Sequence, residues 1–212
     1  MMMPQEIEFT ILSFASLFVI VDPIGTVPTF LTMVEGNTRA DRLRMVKIAS
    51  LAVCLVLILV SFFGESIFTK FGLTLPALEI AGGIVLVIVA LDMLQARRTA
   101  VKETREESDA GVAKEDIAIT PLAIPLLAGP GAITTVILLA SKAETIAEHF
   151  ILIGSIIAVS LATFLILRFA AVKSSAFGII PVKILTRLMG LVLLAIAVQF
   201  ILNGISSTYL LK

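Results

Sequence analysis

The chain has 212 residues, 58% of them hydrophobic and 15% charged, and its mean hydropathy is +1.09. A soluble domain carries about a quarter of its residues as charges, so this composition excludes a water-soluble globule and places the chain in a bilayer. Sixteen basic against sixteen acidic side chains leave no excess for nucleic acid, and a single cysteine and a single histidine exclude a disulfide framework, a CxxC pair and a histidine metal cluster.

A helix crossing the hydrocarbon core needs roughly 20 apolar residues, and charges delimit six such stretches. The first, 9–34, holds one charge, Asp22, near its middle. The leader before it carries Glu6 and Glu8 and no Lys or Arg, unlike a cleavable signal. The second run lies between Lys47 and Glu65, and the third, about 73–94, contains Glu79 and Asp92. A segment of about 96–116, dense in charges of both signs, reads as a cytoplasmic linker. Three uncharged runs follow, at 117–141, 150–167 and 188–211. None of the six shows the alternation of a membrane β-barrel, so the expected fold is all-α with six spanning helices.

Lys and Arg are retained on the cytoplasmic side during insertion. Arg39, Arg42, Arg44 and Lys47 follow the first span; Arg97, Arg98, Lys102, Arg105 and Lys114 follow the third; Arg168, Lys173, Lys183 and Arg187 flank the connection after the fifth. Only Lys70, Lys142 and Lys212 fall on the other side, so 13 basic residues oppose 3 and both termini are expected outside the inner membrane.

Three spans per half make the second half enter the membrane from the opposite face. Similar halves then form an inverted repeat, an architecture of many transporters, with repeat one at about 9–95 and repeat two at about 117–211. Span one contains Asp22-Pro23-Ile24-Gly25-Thr26-Val27-Pro28-Thr29, and span four contains Pro125 and then Gly129-Pro130-Gly131-Ala132-Ile133-Thr134-Thr135. Each is a Pro/Gly cluster near mid-run, followed by threonines. Spans three and six align without a gap, setting Gly83 against Gly190 and Asp92 against Gln199.

Proline in a helix interior removes a donor and clashes with the preceding turn, at a cost of about 3 kcal/mol. In lipid the freed backbone groups are tolerable only where they line a protein-walled or wet cavity. Two breaks at equivalent depth therefore predict a polar pocket between discontinuous first and fourth helices. The half-helices beginning near Gly25 and Gly131 would present positive N-terminal ends to it, and the preceding segments would present carbonyls. Such opposed ends suit a zwitterion.

Asp22 is costly at this depth; it either attracts a substrate ammonium, carries a coupling proton, or caps the half-helix beginning at Pro23. Gly25, Gly129 and Gly131 permit close backbone approach and positive φ. Thr26, Thr29, Thr134 and Thr135 offer hydroxyls to a solute or back-bond within their own helices. Glu79 and Asp92 are gates or hydrated interfacial acids, Gln199 and Asn203 interhelical hydrogen bonders, and Gly154, Ala158 and Ala162 a packing stripe.

Asp22-Pro23-Ile24-Gly25-Thr26-Val27-Pro28, the run LEIAGGIVLVIVALDML over 78–94, and Pro125-Leu-Leu-Ala-Gly-Pro-Gly-Ala-Ile-Thr134 resemble the MarC family over essentially the whole chain. One branch of that family, SnatA, transports small neutral amino acids such as glycine and alanine through discontinuous first and fourth helices. The resemblance implies a substrate pocket at Asp22, Pro23, Gly25, Thr26, Thr29, Gly129, Gly131 and Thr134. The expected activity is secondary transport of a small zwitterion, coupled to a proton or cation. No enzyme chemistry, cofactor or metal is expected. A structural or regulatory membrane protein and a passive channel are the alternatives.

Overall fold

The computed structural model describes residues 5–95, 122–123, 127–173 and 179–210, and side chains throughout these except at 179–183 and 209–210. Within them the chain forms seven helices: α1 (Gln5–Val21), α2 (Thr26–Met33), α3 (Arg39–Lys70), α4 (Leu75–Leu94), α5 (Pro130–Lys142), α6 (Ile146–Val172) and α7 (Ile179–Leu210). The linker at 96–116 and Pro125 lie outside the described residues.

Among the described residues, four helices are long and apolar enough to cross a bilayer: α3, α4, α6 and the part of α7 from Ile184 to Thr208. A fifth crossing is the pair α1–α2, bent by 42° at the break between Val21 and Thr26. The fourth expected span, 117–141, is described only over its later residues. There α5, with 13 residues, is about 20 Å long and covers two thirds of a core roughly 30 Å thick. Ahead of it, the Ala128 N–H bonds the Ala123 carbonyl, five positions back, at 2.8 Å.

Helix starts follow local chemistry. Thr38, Thr74 and Thr145 each cap a helix by accepting the N–H three residues on, from Asp41, Ala77 and Glu148. At α6 the cap is reciprocal, because the Glu148 carboxylate also accepts the Thr145 N–H. The same carboxylate accepts the Glu144 N–H at 2.7 Å and the Gln5 side-chain amide at 3.3 Å, tying the start of α1 to the start of α6.

Both faces of a span mix sizes. On α3 Leu51, Leu55, Leu59 and Phe62 point outward, while Ala49, Ser50, Val53, Leu57 and Gly64 are buried. Lipid solvates apolar bulk, so hydrophobicity alone does not decide the inner face. On α6 one expectation is overturned. Gly154 and Ala158 are exposed and nothing packs against Gly154; the buried face is Leu152, Ser155, Ile156, Val159, Ser160 and Thr163.

The halves interlock. Helices before the linker pack chiefly on helices after it: α4 on α7 most extensively, α3 on α6 and α5, α1 on α6 and α5, and α2 on α6 and α7. Gln199 and Asn203 do not contribute to this, since the Gln199 amide donates to Asn203 at 2.7 Å on the same exposed face of α7.

Candidate functional site

The first break is organised by Asp22. Its φ of +45° places a non-glycine residue in the left-handed region, at the point where the chain bends by 42° between α1 and α2. Its Oδ1 accepts the Gly25 N–H at 2.9 Å, and its carbonyl accepts both the Thr26 N–H at 3.1 Å and the Thr26 hydroxyl at 2.9 Å. The Val27 N–H bonds the Ile24 carbonyl at 3.2 Å. The first donors of α2 are thus already taken within the break; the helix begins at Thr26 with Gly25 as its N-cap rather than at Pro23, and the Asp22 carboxylate holds the turn ahead of it. The positive φ expected at Gly25 falls on Asp22 instead, because the aspartate can fix that geometry with its own side chain.

Gly25 serves close approach. A methyl group there would collide with the Asp22 carboxylate and lie 2.7 Å from Met93 Cε on α4. Pro23 lies in the turn, buried with Asp22, whereas Thr29 is only half-buried on α2 and gives its carbonyl to the Thr32 hydroxyl.

The second Pro/Gly cluster, at the start of α5, is different in kind. Gly129 is the N-cap of α5 and offers no side chain to cap it; Pro130 occupies the first turn and has no N–H. The N–H groups of Gly131 and Ala132 are therefore the leading donors at the positive end of α5. Gly129 also has an ordinary negative φ, −76°, so neither glycine cap takes the left-handed form. A methyl at Gly131 would strike Leu86 of α4 and lie 3.4 Å from Ile20 Cγ2, two residues before Asp22. The first break and the start of α5 are thus brought together, with α4 running past both, Leu86 at Gly131 and Met93 at Gly25. Seven residues separate those two contacts, about 10 Å along a helix.

The threonines divide. Thr135 donates to the Gly131 carbonyl at 2.8 Å and is committed to its own helix, whereas the Thr26 hydroxyl is committed to the Asp22 carbonyl in the break. Thr134 is buried against α4, where a methyl at Gly82 would lie 2.7 Å from its Oγ1. Near one end of α4, Glu79 is also buried, and the Lys142 charge at the end of α5 acts on it. Ile20, Leu86 and Met93 were not legible as site residues, because an apolar side chain in an apolar run carries no mark of where it points.

The MarC family of integral membrane proteins matches residues 7–209. The chain belongs to the MarC family. Among curated proteins of the family, it is 39% identical to UPF0056 membrane protein MJ1677 of Methanocaldococcus jannaschii, covering 97% of this chain and all of that one. It is 37% identical to UPF0056 membrane protein YvbG of Bacillus subtilis (95% and 96% covered) and 32% identical to YhcE of Escherichia coli (92% and 91%). These names state membrane location and no substrate. No solved structure matches this MarC chain.

Proposed function

We propose that this MarC protein is a secondary transporter of a small neutral solute, glycine- or alanine-like, as in the SnatA branch. The pairing of the two breaks carries the reading: at the first, Asp22 supplies a buried carboxylate, and at the second, α5 supplies backbone donors without a side-chain cap. A zwitterion fits that pair in one orientation, its ammonium toward Asp22 and its carboxylate toward Gly131 and Ala132. Self-capping at α2 leaves α5 as the anion-facing end.

The inverted repeat belongs to the same proposal. One shift in residue number takes Pro23 to Pro130, Thr38 to Thr145, Asp41 to Glu148 and Gly83 to Gly190. It relates the two broken spans, the two N-caps that open α3 and α6, and the two glycines of the α4–α7 crossing. Packing supports it too, since α2 on α6 has its counterpart in α3 on α5, and α4 on α5 in α2 on α7. With both termini outside, the two repeats rock about the pocket and expose it to each face in turn, driven by a proton or cation gradient.

Flux in proteoliposomes tests the reading. Purified protein should exchange labelled glycine or alanine under an imposed proton or sodium gradient, and Asp22→Asn should reduce that flux at least tenfold while still inserting. Absence of flux for all small neutral amino acids, in both directions and with both gradients, overturns it.

A further inference from the structure

We propose that an anionic phospholipid occupies a specific site behind the first break, one acyl chain lying in an apolar groove and its headgroup held by Lys173. The groove encloses about 290 Å³ between α2, α6 and α7. Its walls are Ile24, Val27 and Pro28 from the break, Leu165 and Phe169 from α6, and Leu185 from α7. These side chains carry no hydrogen-bonding group, so neither a zwitterion nor ordered water has partners in the groove. Leu165, Phe169 and Leu185 are each more than a third exposed, which opens the groove sideways to the surroundings of the helices. Around a helix long and apolar enough to span a bilayer, those surroundings are lipid. Protein interiors are close-packed, and an apolar gap beside a bend is filled by the nearest apolar chain.

Charge selects which lipid enters. Leu165, Phe169 and Lys173 recur every four residues on α6, so the stripe that forms the groove wall ends at a lysine, the exposed C-cap of that helix. A lysine there reaches the headgroup level by extending its stem along the apolar surface. Arg168 is a second cation near the same end, its guanidinium carbon 5.9 Å from the Phe164 ring centroid. An acyl chain against Ile24, Val27 and Pro28 would touch the residues that follow Asp22, and bound lipid would support the bend from outside. The site does not depend on transport; lipid binding and flux can each fail without the other.

Native mass spectrometry of the full chain in detergent, titrated with phosphatidylglycerol or phosphatidylcholine, reads the site directly. One phosphatidylglycerol per chain should survive activation that strips all others, with a preference over phosphatidylcholine of roughly fivefold. Leu185→Trp should abolish the retained lipid by filling the groove, and Leu165→Trp is the second variant should the first not fold. Lys173→Gln should keep an acyl-bound lipid and lose the headgroup preference. Gly154→Trp, on the open face of α6, should change nothing. A graded distribution with no retained lipid, unchanged retention in both groove-filling variants, or unchanged preference in Lys173→Gln overturns the proposal.

Discussion

Gly83 on α4 and Gly190 on α7 occupy reciprocal positions in one antiparallel crossing. A methyl at Gly83 would lie 2.8 Å from the Ala197 carbonyl oxygen and 3.2 Å from the Ile201 nitrogen. At Gly190 it would lie 3.2 Å from both the Ala90 carbonyl oxygen and the Leu94 nitrogen. The shift in number that carries Gly83 to Gly190 also carries Ala90 to Ala197 and Leu94 to Ile201, so each contact is the image of the other.

At this crossing the obstruction is backbone, which cannot turn aside as a side chain can. Gly83→Ala should therefore destabilise the protein by about 1–3 kcal/mol, the usual cost of overpacking. Gly154→Ala meets open space and should stay within about 0.5 kcal/mol. Thermal unfolding in detergent compares the two, and equal melting temperatures would contradict the packing described.

Asp22 separates stability from flux. Asparagine retains an acceptor for the Gly25 N–H and tolerates the left-handed region, so Asp22→Asn should melt close to the parent protein while flux is lost. Alanine retains neither property, and Asp22→Ala should lose about 1–2 kcal/mol besides. If the asparagine variant transports normally, the carboxylate acts only as a cap.

Glu148 joins two helix starts. Replacing it with alanine leaves the Glu144 and Thr145 N–H groups and the Gln5 amide without that acceptor, at a cost of about 1–3 kcal/mol. Thr145→Ala removes only the cap, worth about 1 kcal/mol. The double variant should cost less than the sum, because each residue caps through the other; a double-mutant cycle by thermal melting measures that coupling.

The hydroxyls of Ser13, Ser50 and Ser160 are buried without a hydrogen-bond partner among the described residues. Removing such a group removes a desolvation penalty, so each Ser→Ala change should be neutral or stabilising by up to about 1 kcal/mol. A fall in melting temperature at any of the three would reveal a partner for that hydroxyl.

Much of the fold was written in charge spacing and in Pro/Gly clusters. Those features fix where helices start, bend and stop, and the bend at Asp22–Gly25 and the start of α5 at Gly129–Pro130 were legible from them. Orientation about each helix axis was not. Gly154 and Ala158 were read as a packing stripe and point outward, because a span apolar on every side gives no periodic signal to separate lipid from neighbour. Gln199 and Asn203 were expected to bridge helices and bond each other, since spacing by four satisfies both amides locally. The left-handed Asp22 was hidden for another reason: glycine is the common occupant of that region, and nothing in a sequence marks an aspartate that replaces it.

The interlocking of the halves bears on how the molecule is made. A ribosome delivers α1 to α4 before the helices on which they pack exist, so the early segments must wait in the membrane as separate rods, their glycine-bearing surfaces touching only lipid. Assembly can begin only once the later segments arrive. A gene cut within the 96–116 linker should then yield two fragments that accumulate only when both are synthesised together.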